Sequence, residues 1–147
     1  MAITTQWMVS PDERDSVAHL PYWKEYSWTH DDFVTETAAA VVHFPMPADC
    51  WVLAGAVQIT ETVDGTAQDF DGLGDDSDPD GWVADGSIVG ATAGGIVPGA
   101  LAAAYMVTGG KHYTAVDVIT LTFEVAADVT TGEGKVWLLI GGLTAEV

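Results

Sequence analysis

The chain contains very few basic residues. Only four of its 147 residues are Lys or Arg, against 22 Asp or Glu, so the formal net charge is −18 and the isoelectric point is near 4.1. Proteins bind nucleic-acid phosphates through Lys and Arg, and anionic membranes attract segments rich in the same residues. The composition therefore predicts neither direct binding to nucleic acid nor adsorption to an anionic membrane.

Cysteine and long apolar runs are also scarce. The single Cys50 cannot form a disulfide within the chain, and its place at the head of an apolar run predicts a buried structural thiol. No segment reaches the roughly 20 apolar residues that a membrane-spanning helix needs. Residues 1–9 have neither a basic start nor a long apolar stretch, so we expect no signal peptide.

What the chain does contain is typical of one folded domain. A hydrophobic content of 48% with six Trp excludes disorder, although the charge alone would suggest it. The chain length suits one hydrophobic core. Many short apolar stretches with period-two alternation are separated by Gly-containing turns. This pattern predicts an all-β fold, an antiparallel β-sandwich or jelly-roll-like domain, over residues 38–147.

The clearest strands are predicted at residues 50–60, 117–125 and 135–140. Because residues 130–134 read as a turn, we predict that the last two strands form an antiparallel hairpin. Residues 88–107 stay ambiguous between short strands joined by turns and a loop with one helical turn near 100–104. The predicted core consists of the inward-facing positions Trp51, Leu53, Val57, Ile59, Ile119, Leu121, Phe123, Val136, Leu138 and Ile140.

Residues 1–37 are predicted to form an irregular, aromatic-rich N-terminal arm. Ser10, Pro11 and Glu13 have the pattern of a helix start, which predicts a short helix around residues 11–18. Five large aromatic side chains in the arm need a surface to bury against, either on the same domain or on a neighbouring molecule. The predicted interface anchors are Trp7, Tyr22, Trp23, Tyr26 and Trp28.

Nine Asp or Glu lie between Glu61 and Asp85, and residues 76–81 match the first half of a calcium-binding loop. Asp76, Asp78 and Asp80 are therefore candidate Ca²⁺ ligands. The position of the bidentate Glu in an EF-hand is Ser87 here, which excludes an EF-hand. The alternative, which we favour, is a solvated acidic turn whose Asp side chains accept hydrogen bonds from backbone N–H groups.

No motif in the sequence predicts catalysis. The carboxylates cluster on one loop, whereas a glycosidase places two of them across a cleft. The four His share no metal-ligand spacing, and no nucleophile elbow, P-loop or dinucleotide-binding fingerprint occurs. We therefore predict that the chain is not an enzyme and needs no cofactor, apart from the possible Ca²⁺.

The order of these features resembles a family of small virion structural proteins of tailed phages and related viruses. The resemblance rests on residues 47–55, 63–66, 74–82 and 131–139, and it covers about residues 38–143. The N-terminal arm has no counterpart in that pattern. The resemblance implies a non-enzymatic β-sandwich that attaches to a capsid or a tail as a homo-oligomer.

From the resemblance and the composition we predict a head decoration or cement protein that binds and stabilises the outer capsid lattice. Its partners would be the major capsid protein or another virion protein and sister copies in a homotrimer. It would be made in the host cytoplasm and would end on the capsid surface. The alternatives are a tail or head-fibre component, a calcium-dependent carbohydrate-binding β-sandwich module with a Trp as sugar platform, and a small hydrolase.

Overall fold

Strands dominate the computed structural model, which describes residues 21–36, 39–64, 69–88, 91–99, 103–124 and 129–141. In those residues the regular elements alternate with short turns. The strands are β1 Tyr22–Thr29, β2 Val34–Glu36, β3 Ala39–Met46, β4 Cys50–Glu61, β5 Asp69–Asp75, β6 Asp78–Val83, β7 Val97–Pro98, β8 Lys111–Tyr113, β9 Asp117–Glu124 and β10 Glu133–Gly141. A 3₁₀ turn covers His30–Asp32, and a single helical turn, α1, covers Ala104–Val107.

Two antiparallel sheets form a sandwich. Sheet A has the order β1-β10-β4-β7, and β8 pairs with the start of β4; sheet B has the order β2-β3-β9-β5-β6. In the described residues every strand pair is antiparallel, and the side chains alternate between the core and the outside. The predicted all-β sandwich is therefore confirmed. Its jelly-roll-like connectivity stays a prediction.

The core lies between the inner faces of the two sheets. Phe123 on sheet B contacts Trp28 on sheet A, with Phe33 and Phe70 beside it, at ring-centroid distances of 5.5, 5.6 and 5.9 Å. Eight predicted core residues are buried: Val57, Ile59, Ile119, Leu121, Phe123, Val136, Leu138 and Ile140. The aromatic cluster is what joins the two sheets at this end of the sandwich.

Two predicted core residues, Trp51 and Leu53, are not in the core. The register of β4 against β10 shifts between Leu139 and Ile140, where β4 contains one extra residue. Such a β-bulge reverses the alternation, so Val52 is buried while Trp51 is 40% exposed and Leu53 is half-buried. The alternation in the second half of β4 was extended through this bulge, and the prediction was wrong there.

The predicted hairpin between the last two long strands is also wrong. β9 lies between β3 and β5 in sheet B, whereas β10 lies between β1 and β4 in sheet A. Both edges of each strand are thus occupied by other strands. The turn residues Thr130 and Thr131 bind the Asp64 side chain instead, through N–H groups at 2.6 and 2.8 Å from Oδ1. The chain therefore crosses from one sheet to the other in this connection.

The described part of the predicted N-terminal arm is not irregular. Residues 22–29 form β1, which pairs with β10 over its whole length, and residues 34–36 form β2. Aromatic residues are favoured in β-strands, which explains why this aromatic-rich segment forms one. Trp7 and the predicted helix at residues 11–18 lie outside the described residues. In the ambiguous segment 88–107 the structure has both a two-residue strand, β7, and the helical turn α1.

Candidate functional site

The acidic segment forms a tight hairpin between β5 and β6. Asp76 and Ser77 make the turn, and Asp75 lies opposite Asp78. Asp75 Oδ1 accepts hydrogen bonds from the backbone N–H of Ser77 at 2.9 Å and from that of Asp78 at 3.2 Å. A Cβ at Gly74 would collide with the Asp78 carbonyl, so this position requires Gly. Hydrogen bonds from the backbone to a side chain thus order the turn.

The three candidate calcium ligands do not form a ligand set. Asp76 is exposed in the turn, while Asp78 and Asp80 are neighbours on one side of β6. Burial raises the pKa of Asp78, and the adjacent Asp80 carboxyl raises it further. Asp80 Oδ2 accepts the Asp85 N–H at 3.3 Å. In the part of the chain that the structure describes, no three His, Cys, Asp or Glu side chains are placed to hold a metal ion. The predicted calcium site is therefore not formed by these residues.

Asp75 is the centre of a buried polar network that the sequence did not suggest. Its side chain is 2% exposed. Lys111 Nζ lies 2.6 Å from Oδ2, the Tyr113 hydroxyl donates to Oδ2 at 2.8 Å, and the Tyr105 hydroxyl donates to Oδ1 at 2.7 Å. Trp82 Nε1 donates to the Tyr113 oxygen at 3.1 Å. Since Asp75 lies on sheet B and Lys111 on sheet A, the network joins the two sheets.

The electrostatics of the network favour an ion pair. Burial alone would raise the pKa of Asp75, but hydrogen bonds from Lys111, Tyr105 and Tyr113 outweigh it and hold the pKa below its usual value. Burial likewise would lower the pKa of Lys111, and the contact with Asp75 raises it above its usual value. Burial raises the pKa of Tyr113, so its hydroxyl stays a donor. Each of these polar groups has a hydrogen-bond partner, so the network stabilises the packing of the two sheets.

The predicted interface anchors divide into buried and exposed residues. Trp28 is 1% exposed, and Tyr26 is half-buried against Phe44 at 5.1 Å between ring centroids. Both therefore stabilise the domain itself, and the prediction that Trp28 anchors a neighbour was wrong. Trp23 and Tyr22 are 55% and 45% exposed and remain available for contact.

Three tryptophans share the outer face of sheet A. Since Val136, Leu138 and Ile140 point into the core, Trp137 and Leu139 of β10 point outward. Trp23 lies opposite Leu139 across the β1–β10 pair and therefore shares that outer side. Trp51 and Leu53 of β4 join them because of the bulge. We call Trp23, Trp51, Trp137, Leu53 and Leu139 the aromatic face.

Polar contacts hold the tryptophans of the aromatic face in place. Trp137 Nε1 donates to Glu25 Oε2 at 3.0 Å, and Lys135 Nζ lies 2.7 Å from Glu25 Oε1. The hydrogen bond from Lys135, followed by that from Trp137, lowers the pKa of Glu25. On the other side, the Trp51 ring is stacked on His112 at 4.8 Å with an angle of 8° between the planes. Two of the three tryptophans of the aromatic face, Trp137 and Trp51, are thus held in position by neighbouring side chains.

The charges are distributed unequally between the sheets. The five strands of sheet A contain three Lys and three Glu. Four strands of sheet B, β3, β5, β6 and β9, contain seven Asp or Glu and neither Lys nor Arg. Sheet A is therefore close to neutral and carries the exposed aromatic side chains, whereas sheet B carries much of the negative charge.

The outer face of sheet B has a shallow groove of about 760 Å³. Small and polar side chains line it, including Thr120, Thr122 and His43, with Asp76 and Pro79 at one end. The Thr120 hydroxyl is 3.4 Å from His43 Nδ1. Cys50 is buried, and burial raises its pKa, which agrees with the predicted structural thiol.

Comparison of the chain with protein-family models, with curated proteins and with solved structures finds no match. In the described residues no helix is long and apolar enough to span a bilayer.

Sequence reasoning missed Asp75, Tyr105, Lys111 and Tyr113 as a unit. One signal was present: Lys111 is one of only three lysines in a chain of 22 carboxylates and follows Gly109-Gly110. It did not identify the partner, because Asp75 is 36 residues away. The aromatic face was missed since it depends on the β-bulge in β4, which the alternation pattern hides.

Proposed function

We propose that this chain is a non-enzymatic virion structural protein that decorates and stabilises a capsid, and that it docks through the aromatic face of sheet A. The observation that carries the proposal is the aromatic face itself. Trp23 and Trp51, which are 55% and 40% exposed, and the half-buried Trp137 share one outer surface, on the near-neutral sheet of a protein whose net charge is −18. A jelly-roll-like sandwich that presents such a face fits the family that the sequence resembles.

The physics of interfaces supports this assignment of faces. Trp side chains contribute disproportionately to protein–protein affinity, and charged residues are depleted at interface centres. Docking through sheet A buries the indole rings without desolvating a cluster of carboxylates. Sheet B would then face the solvent, where its negative charge keeps decorated particles apart. The partner would be the major capsid protein or another virion protein, and the chain would act as a homo-oligomer.

The first test is whether purified particles contain the chain, as detected by mass spectrometry. The second is binding of the purified protein to particles that lack it. Trp51→Ser and Trp137→Ser should each weaken binding by about tenfold or more, the loss that interface Trp positions typically show. Val116→Ser is the matched control, since Val116 is 77% exposed and lies outside the aromatic face.

Absence of the chain from particles would contradict a virion role. Equal binding by the two Trp variants and the control would show that another surface docks. Labelling of bound protein on intact particles separates the capsid from the alternative location on a tail or head fibre.

A second candidate, a carbohydrate-binding module, is favoured by one observation: indole rings on a sheet face lie beside the carboxylate of Glu25 and the ammonium of Lys135. Sugars stack on such rings, and their hydroxyl groups donate hydrogen bonds to a carboxylate and accept them from an ammonium. Sedimentation of the protein with insoluble cellulose or chitin, with and without EDTA, tests it. Binding that requires Trp51 and survives EDTA would favour a calcium-independent module. Selective stabilisation by calcium over NaCl at equal ionic strength would restore the acidic hairpin as a cation site.

A further inference from the structure

Strand β1 is the outermost strand of sheet A. It is eight residues long, and in the described part of the chain β10 is its only strand partner. An edge strand presents unpaired N–H and C=O groups that can pair with another strand. Natural edges are usually short, covered or charged. This one carries the exposed Lys24 and Glu25, but it starts with Tyr22 and Trp23, which are 45% and 55% exposed.

The first half of β1 extends beyond the cover that sheet B provides. Tyr22, Lys24, Tyr26 and Trp28 lie opposite Ile140, Leu138, Val136 and Gly134, so they all belong to the inner side of sheet A. Along this row the exposure falls from exposed at Tyr22 and Lys24, through half-buried at Tyr26, to buried at Trp28. Residues 22–25 are therefore exposed on both sides of the sheet. A partner that only lay on one face would leave the other side uncovered, whereas an added strand has side chains on both.

We propose that the start of β1, residues 22–24, pairs antiparallel with the same residues of a second copy of this chain, about a two-fold axis at Trp23, so that the two A sheets join at this edge. This inference goes beyond the proposed function and does not depend on it.

The side chains at the start of β1 favour this register over those centred on Lys24 and Glu25. A two-fold axis at Trp23 places the two Trp23 rings side by side on the outer side and Tyr22 opposite Lys24 of the other copy on the inner side. Lys24 already lies 5.0 Å from the centre of the Tyr26 ring, so its ammonium would gain a second aromatic neighbour. Axes at Lys24 or Glu25 would place like charges directly opposite, which disfavours them.

The charge distribution also favours this edge. Two molecules with a net charge of −18 repel each other, and the repulsion is smallest where neutral surfaces approach. The strands of sheet A provide such a surface. Association should therefore strengthen as NaCl screens the remaining charge. The pair would also join two aromatic faces into one larger docking surface.

Sedimentation velocity of the full chain, over a range of protein and NaCl concentrations, tests the association. The expected result is a dimer that strengthens with salt. Trp23→Lys should weaken it by about tenfold or more, because it places two ammonium groups side by side. Val116→Lys should leave it unchanged, since Val116 is 77% exposed and lies outside both β1 and the aromatic face.

Cross-linking tests the register directly. Opposed residues of antiparallel strands have Cα atoms about 4.5–5.5 Å apart, within the range for a disulfide. Oxidised Trp23→Cys should therefore form a covalent dimer, whereas Trp51→Cys and the parent, whose Cys50 is buried, should stay monomeric on a denaturing gel. A monomer under all conditions, a trimer, or cross-linking of Trp51→Cys without Trp23→Cys would overturn the proposal.

Discussion

The two sheets of the sandwich share one core but differ on their outer sides. Sheet A combines balanced charges with three tryptophans on its outer side. The hydrogen bonds from Lys135 and Trp137 lower the pKa of its Glu25. Sheet B combines many carboxylates with no Lys or Arg in its four longer strands, and there the pKa of Asp71 is raised by burial and by nearby Glu124. The net charge of −18 is therefore spread unevenly between the two sheets. Sheet A is the side suited to contact with another protein, and sheet B is the side suited to solvent.

The largest expected effect comes from breaking the core that the sheets share. Phe123→Ala should lower the free energy of unfolding by about 4 kcal/mol, since it removes a buried ring that contacts aromatic side chains from both sheets. Thermal and urea unfolding, followed by tryptophan fluorescence and by far-UV circular dichroism, should show one earlier transition in both signals. A variant that melts with the parent would mean that the two sheets are not packed through this ring.

The next effect comes from the buried link between the sheets. Asp75→Ala leaves Lys111 without its counter-ion and two tyrosine hydroxyls without an acceptor, and it should cost about 3 kcal/mol. Urea unfolding measures the loss. Asp76→Ala is the matched control, since this neighbouring carboxylate is exposed in the turn and should change stability little. Equal effects of the two substitutions would contradict a stabilising role of the Asp75 network.

A third prediction concerns acid sensitivity at the crossing between the sheets. The Thr130 hydroxyl, then the N–H groups of Thr131 and Thr130, lower the pKa of Asp64 from 3.8 to about 2. A lowered folded-state pKa contributes stability that is present above pH 3.8 and lost as the pH falls through 2. Asp64→Asn should therefore be less stable than the parent at neutral pH.

The measurement is a comparison of melting temperatures of the Asp64→Asn variant and the parent across the acidic range. The gap between them should narrow as the pH falls from about 4 to about 2. A gap that stays constant over this range would show that the carboxylate of Asp64 does not hold the loop.

The smallest expected effect sharpens the contrast in charge. Asp78→Asn on sheet B removes a carboxylate whose pKa is raised by burial and by Asp80, so it should raise the melting temperature at low salt. Glu25→Gln on sheet A removes a carboxylate that is paired with Lys135, so it should lower the melting temperature at low salt. Both shifts should shrink in concentrated NaCl. Shifts of the same sign would mean that the two sheets do not differ electrostatically in the way described.

The sequence predicted the fold class and most of the core because period-two alternation is local. It predicted the inward positions of β9 and β10 but not their partners, since the same alternation suits a hairpin and a crossing between sheets. It also missed the bulge that turns Trp51 outward, because a single extra residue leaves no local mark.

The candidate site depended still more on long-range contacts. The acidic segment was predicted to be a solvated turn. The burial of Asp75 beside Lys111 was not predicted, because this pair is formed only when the sheets pack. Trp23 was predicted to be an interface anchor from its residue type and its place in the aromatic-rich segment, and the structure shows that it is exposed. That Trp28 on the same strand is buried follows from the cover that sheet B gives to one end of β1 only.

The most direct test of the central claim, that sheet A is the contact side and sheet B the solvent side, is hydroxyl-radical footprinting of the protein free and bound to particles. We expect Trp51 and Trp137 to be oxidised in the free protein and strongly protected on the particle, while Pro79 and His43 on sheet B are labelled equally in both. Protection of Pro79 and His43 with continued oxidation of Trp51 and Trp137 would contradict it.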